Sequence, residues 1–133
     1  MLIQEDGRIV LLKKKLGTLV ENTIADLKAL GYRNVLEVNK DQAQTFYSGY
    51  SVVAVRTGKV GGSWDYHYMR REIDYDDGTR FWSHRPGHTQ GNKVLIHKYS
   101  PSTLSSWPGE YYNSGWHYLS GGYDSNTRYI AFC

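Results

Sequence analysis

Cysteine is nearly absent from these 133 residues. The only one, Cys133, ends the chain, so no intrachain disulfide can form and the core must come from packing. A lone thiol does not fix the compartment. Proline is scarce too, three in all, which excludes a Pro-rich linker or stalk. No apolar run is long enough to span a membrane. The opening MLIQEDGR is not a signal peptide, so a leader, if the protein is exported, lies outside this chain. A start that runs straight into a charged turn also suits the C-terminal part of a longer protein. No internal repeat or low-complexity segment is present.

What is there is globular in composition, 40% hydrophobic and 22% charged, at a length that suits one domain over 1–133. Twelve Tyr, four Trp and 14 Gly favour strands and turns over a helical bundle. A net charge of +3 assists a polyanionic partner without requiring one. The run Lys13-Lys14-Lys15, beside an apolar stretch, reads as a solvated strand end.

Elements follow from periodicity. RIVLL (8–12) reads as a short strand. Thr18 and Glu21 form a capping box for a helix over 18–30, with Val20, Ile24, Leu27 and Leu30 on one face and Gly31 as the C-cap. NVLEV (34–38) is a strand, DQAQTF (41–46) one helical turn, and YSVVAVRTG (50–58) a central strand. GKVGGS (58–63) is a connector; it lacks the order of a phosphate-binding loop, and GGSW lacks the order of a nucleophile elbow. KVLIHKY (93–99) is another strand, STLSSW (102–107) a short helix or loop, and 116–119 and 128–132 are the last strands. One early helix followed by five or more strands predicts an α+β domain with a mostly antiparallel sheet.

The densest stretch is DYHYMRREIDYDDGTRFWSHRPGHT, residues 65–89. Asp77-Gly78 between two β-rich runs predicts a hairpin. With those two residues as the turn, Arg71 faces His84 and His67 faces His88. His67, Met69 and Arg71 then share a face with His84, Pro86 and His88, and pairing frays at Pro86. A one-residue change in the loop would break the shared face. Trp64, Tyr66, Tyr68 and Trp82 are expected to flank the histidines. A second histidine bonded to the first fixes its tautomer, which is what a general base needs. The alternative is that His67 is a half-buried strand residue.

The words of this stretch resemble a bacterial group of papain-like cysteine hydrolases, in which a motif like DYHWYR precedes one like WSHKPG. Here they are Asp65-Tyr66-His67-Tyr68-Met69-Arg70 and Trp82-Ser83-His84-Arg85-Pro86-Gly87. The order of helix and strands is also similar, over roughly 18–90. The resemblance implies a papain-like core and a peptidase or amidase acting through an acyl-enzyme on a protein or peptide. His67 is then the base and His84 the orienting residue, as in NlpC-type Cys-His-His sites. Asp65, Tyr66, Arg70, Trp82, Ser83 and Arg85 support them. It also implies a secreted or toxin-like effector setting, in which an immunity or inhibitor protein is a conceivable partner. The group's nucleophilic Cys stands before the helix, where this chain has none. The alternatives are a Cys in an upstream segment or a partner chain, an incomplete remnant that keeps the fold, or a resemblance that stops short of the papain-like core. Cys133 ends the chain, and no helix follows it.

Other sites weigh less. His67, His84 and His88 suit zinc as imidazoles, but no Cys supports them and H-x-x-x-H spacing is absent, so no metal or cofactor is expected. Asp74, Asp76 and Asp77 read as a solvated turn before a calcium site. A metal-free RNase of toxin type is the alternative enzyme, with nucleic acid as its partner. It would use His67, Arg70, Arg71, Lys93, His97 and Tyr99. A non-catalytic binding module is the third reading. It would stack ligands on Trp107, Tyr111, Tyr112, Trp116, Tyr118 and Tyr123, residues that otherwise build core.

Overall fold

The computed structural model describes residues 16–45, 49–74, 76–85, 94–104, 116–118 and 121–133. The expected strand at 8–12, and Pro86, Gly87, His88, Lys93, Trp107, Tyr111 and Tyr112, lie outside them. In chain order the elements are α1 (Leu16–Ala29), β1 (Val35–Val38), α2 (Lys40–Thr45), β2 (Ser51–Val60), β3 (Ser63–Ile73) and β4 (Arg80–His84). Then come β5 (Leu95–His97), β6 (His117–Tyr118), β7 (Gly121–Gly122) and β8 (Arg128–Phe132). The protein is α+β. Six strands lie on one path, β1-β8-β2-β3-β4-β5, every pair antiparallel, with the short β6-β7 hairpin joined to the end of β2. Among the described residues no helix is long and apolar enough to cross a membrane.

Helix α1 begins at Leu16, not at a cap on Thr18. Leu16 packs with Leu19, Val20, Ile24 and Leu27 on Val53, Val55, Tyr68 and Ile130. The apolar stripe therefore starts two residues before the capping box, and packing outweighs the cap. Leu30 is not on that stripe and stands 76% exposed. Just past it the chain turns back. Gly31, at φ 105°, donates its N–H to Lys28 O, and Tyr32 N–H bonds Leu27 O. This is a Schellman ending, which favours glycine at that position. Helix α2 has a reciprocal cap: Asn39 N–H donates to Gln42 Oε1 and Gln42 N–H to Asn39 Oδ1.

The sheet has two unlike faces. One carries α1, tied to β3 where Thr23 Oγ1 and Tyr68 Oη lie 2.6 Å apart. The other holds Ala43 of α2, Val52, Ala54, Met69, Trp82, Trp116, Tyr123, Tyr129 and Ala131. Buried Arg56 is the polar centre of that second face. It donates to Thr127 Oγ1 (2.7 Å), Tyr123 O (3.2 Å) and Pro101 O (2.9 Å), and lies 4.8 Å from the Trp116 ring centre. Desolvation is the main influence on it and lowers its pKa to about 10, which leaves it cationic at neutral pH.

Strand β2 runs through what sequence reading took as a connector. It ends at Val60, and only Gly61-Gly62, at φ 63° and 84°, turns the chain into β3. Two positive φ angles in a two-residue loop are the tight-hairpin geometry that glycine permits. Gly58 is required for a different reason. A Cβ there would meet Gly122 O at 2.1 Å and Tyr123 Cα at 2.8 Å, both backbone. Gly58→Ala is thus expected to cost about 1–3 kcal/mol, the usual penalty for overpacking. Urea denaturation would check it, with a lowered midpoint expected.

Candidate functional site

The β3-β4 hairpin sets the site, and its register differs from the sequence expectation by two residues. Arg71 faces Trp82, not His84, and Arg70 faces Ser83. The turn is longer than Asp77-Gly78. Asp74 N–H donates to Thr79 O and Gly78 N–H to Asp74 O, with Gly78 at φ 76°. Asp74 and Asp77 accept from Asp76 N–H and Thr79 N–H, so these carboxylates build the turn itself. A shift of two keeps every side chain on its face, whereas a shift of one would have inverted the strand. His67, Met69 and Arg71 therefore still share a face with His84, as expected. The pairing of His67 with His88 falls outside the described residues.

On that face His67 Nε2 and His84 Nδ1 lie 2.7 Å apart, and His84 Nε2 and His97 Nε2 lie 3.1 Å apart. The third histidine comes from β5, where His97 faces Trp82 across the ladder. His67 is half-buried, while His84 and His97 are buried. The chain of imidazoles thus runs from a partly accessible end into the protein. Desolvation is the largest influence on His84, with His67 and His97 adding to it, and together they lower its pKa to about 3. Burial lowers that of His97 as well. His84 bridges the other two rings, and among the described residues no group of three His, Cys, Asp or Glu side chains is placed to hold a metal ion.

The walls of His67 are not those expected from its neighbours in sequence. Trp64 and Tyr66 are 44% and 49% exposed. Tyr68 packs toward α1, on the opposite face. The aromatic partners come instead from the C-terminal region. The Tyr123 ring stacks on His67 at 5.3 Å and 18°, and Trp116 meets it edge-on at 6.0 Å. Tyr123 Oη donates to Asp65 Oδ2 at 3.0 Å, so Asp65 acts on His67 through the tyrosine that stacks on it. Trp116 and Tyr123 are buried, which makes them core rather than an exposed stacking surface. Sequence reading named both as core builders but missed that they enclose His67.

The remaining expected residues divide. Trp82 is fully buried beneath the site and donates Nε1–H to Gln44 Oε1. Ser83 donates to Glu72 Oε2, which lies 4.0 Å from Arg70 Nε. Arg70, Ser83 and Arg85 line a shallow pocket of about 290 Å³ with Tyr68 and His84. Arg70 pairs with Val53, whose side chain packs toward α1, so Arg70 belongs to the face away from His67. Arg71 is on the histidine face, but its guanidinium is buried and bonded to Ala43 O and Tyr50 O. Tyr99 is 75% exposed. Of the cations named for an RNase, Arg70 and Arg71 are thus not presented to His67, and Lys93 lies outside the described residues; buried Arg56, not among those named, is His67's partner across the ladder.

Neither described helix carries a cysteine. Helix α1 lies on the other face, and α2 lies over Arg71 and Trp82. Cys133 is remote from His67. It follows Phe132, which pairs with Ser51, whereas His67 pairs with Arg56; five strand residues separate those levels, about 17 Å. The chain matches no protein-family model, no curated protein and no solved structure.

The depressed histidines make stability depend on pH. Their folded pKa values lie below the unfolded value of 6.5, so the unfolded chain takes up protons first as pH falls. Stability is full above 6.5 and is lost from there down toward His84's folded value of about 3, at up to about 1.4 kcal/mol per pH unit for each proton. Thermal melts at pH 7.5 and 4.5 should show a large drop for the native chain. The drop should be smaller for His84→Gln, whose amide does not titrate.

Proposed function

We propose that this chain carries the histidine half of a papain-like cysteine hydrolase, a peptidase or amidase, working with a thiol from outside these 133 residues. The observation that supports this most is the 2.7 Å contact between His67 Nε2 and His84 Nδ1 on adjacent strands. With Nε2 turned to His84, this reading assigns the exchange with the thiol to Nδ1. His84 is a suitable positioning residue because burial keeps it neutral and it does not compete with His67 for the proton.

In this reading His67 Nδ1 takes the proton of the incoming thiol, and the sulfur attacks an acyl carbonyl carbon. The C–N bond of the amide breaks, and His67 returns the proton to the leaving amine. Water then adds to the acyl-enzyme with His67 again as base, and the C–S bond breaks to release the acid. A protein or peptide is the implied substrate. The thiol would reside in an upstream segment or a partner chain. An immunity or inhibitor protein would suit an effector of this kind.

A small thiol can stand in for the missing cysteine. The folded chain, given 2-mercaptoethanol and p-nitrophenyl acetate at pH 7, is expected to release nitrophenol faster than thiol and buffer alone. His67→Ala should lower that thiol-dependent increment by roughly 10²-fold, the lower end of what a positioned base contributes. An increment unchanged by His67→Ala overturns the hydrolase reading. Cleavage of RNA by the unaided chain, lost in His67→Ala, would replace it with the phosphodiesterase alternative.

A further inference from the structure

Hydrogen-bond arithmetic restricts the three imidazoles more tightly than their distances do. A neutral imidazole has one N–H donor and one acceptor nitrogen. His84 uses both nitrogens, Nδ1 toward His67 and Nε2 toward His97. While His84 is neutral its two bonds must therefore run head to tail. Either both point from His67 toward His97, or both point back. Desolvation, with His67 and His97 beside it, lowers the His84 pKa to about 3 and so keeps it neutral near pH 7. The proton on His97 and the proton on His67 are thus linked across two hydrogen bonds, although the two rings are not bonded to each other.

Only one of these arrangements suits a base. If the bonds point outward, His67 carries its proton on Nε2 and Nδ1 has a lone pair. If they point inward, His67 accepts at Nε2 and its single proton sits on Nδ1. We propose that His97, on β5, is a further positioning residue of this site, the terminal acceptor whose Nε2 lone pair holds the relay in the outward sense, His67 to His84 to His97. The inference rests on the hydrolase reading for its direction, but the linkage itself rests on the two contacts alone. His97 is well placed for the task. It faces Trp82 in the ladder, is 8% exposed, and its ring lies 5.1 Å from that of His84 at 34°. Burial disfavours the charged form of both His84 and His97, so the proton that His67 takes up stays on His67 while the two inner rings only fix its orientation.

The test reads tautomers directly. In 15N-labelled chain at pH 7.5, long-range proton–nitrogen spectra are expected to show His67 and His84 protonated on Nε2 and His97 on Nδ1. In His97→Leu the His84 pattern should move toward a mixture of tautomers, and the thiol-dependent increment with p-nitrophenyl acetate should fall about tenfold or more. His97→Gln offers an amide oxygen to His84 Nε2–H and should restore both. Wild-type spectra with the inward pattern overturn the proposal, as does a His84 tautomer unmoved by His97→Leu. The wild-type spectrum needs no variant to fold. Outward tautomers without any thiol-dependent cleavage would sink the hydrolase reading while leaving the relay in place.

Discussion

Side chains along a strand alternate between its two faces, and on β3 that alternation sorts the chemistry of the whole domain. Asp65, His67, Met69 and Arg71 fall to one side; Trp64, Tyr66, Tyr68 and Arg70 fall to the other. The first set meets the second core layer, the C-terminal aromatics and the imidazoles of β4 and β5. The second set meets α1 and solvent. Residues adjacent in the motif DYHYMR are thus separated by the thickness of the sheet, and those that cooperate are two or more positions apart.

The same rule explains what could be read from the sequence. The principal helix, the central strand, the last strand and the hairpin were legible because each rests on a local pattern. The hairpin register was off by two residues, since aspartate side chains at 74 and 77 build a longer loop than Asp-Gly alone suggests. The shared face of His67 and His84 survived because the error was even. His97 was noted only as a group for a phosphate site. Its signal was there: in KVLIHKY it keeps step with Leu95, an inward position, and a histidine at an inward position needs a polar partner. The aromatic walls were not legible as such. Trp116 and Tyr123 reach His67 only because the β6-β7 hairpin docks on the end of β2, a contact across some sixty residues that no local period encodes.

The electrostatic character of the site follows from its neighbours. His67 sits beside two aromatic rings and a neutral, buried histidine, and its partner across the ladder is Arg56, whose buried guanidinium lies 4.8 Å from the Trp116 ring centre. Asp65 is turned toward the hydroxyl of Tyr123. His84, which meets His67 Nε2 at 2.7 Å, is buried and neutral, so this contact orients the ring.

The position of β8 governs when this assembly can exist at all. Its five residues fill the slot between β1 and β2, strands that are close in sequence yet never touch in the ladder. During synthesis β1 cannot meet β8, its partner among the described residues, until about ninety further residues have been made. The early half of the sheet must wait with two open edges. Contacts of such long sequence separation slow folding and leave strand edges exposed to other chains in the meantime. The same segment brings Tyr129, Ile130 and Ala131 into both core layers. One strand of five residues therefore completes the packing on both faces of the sheet.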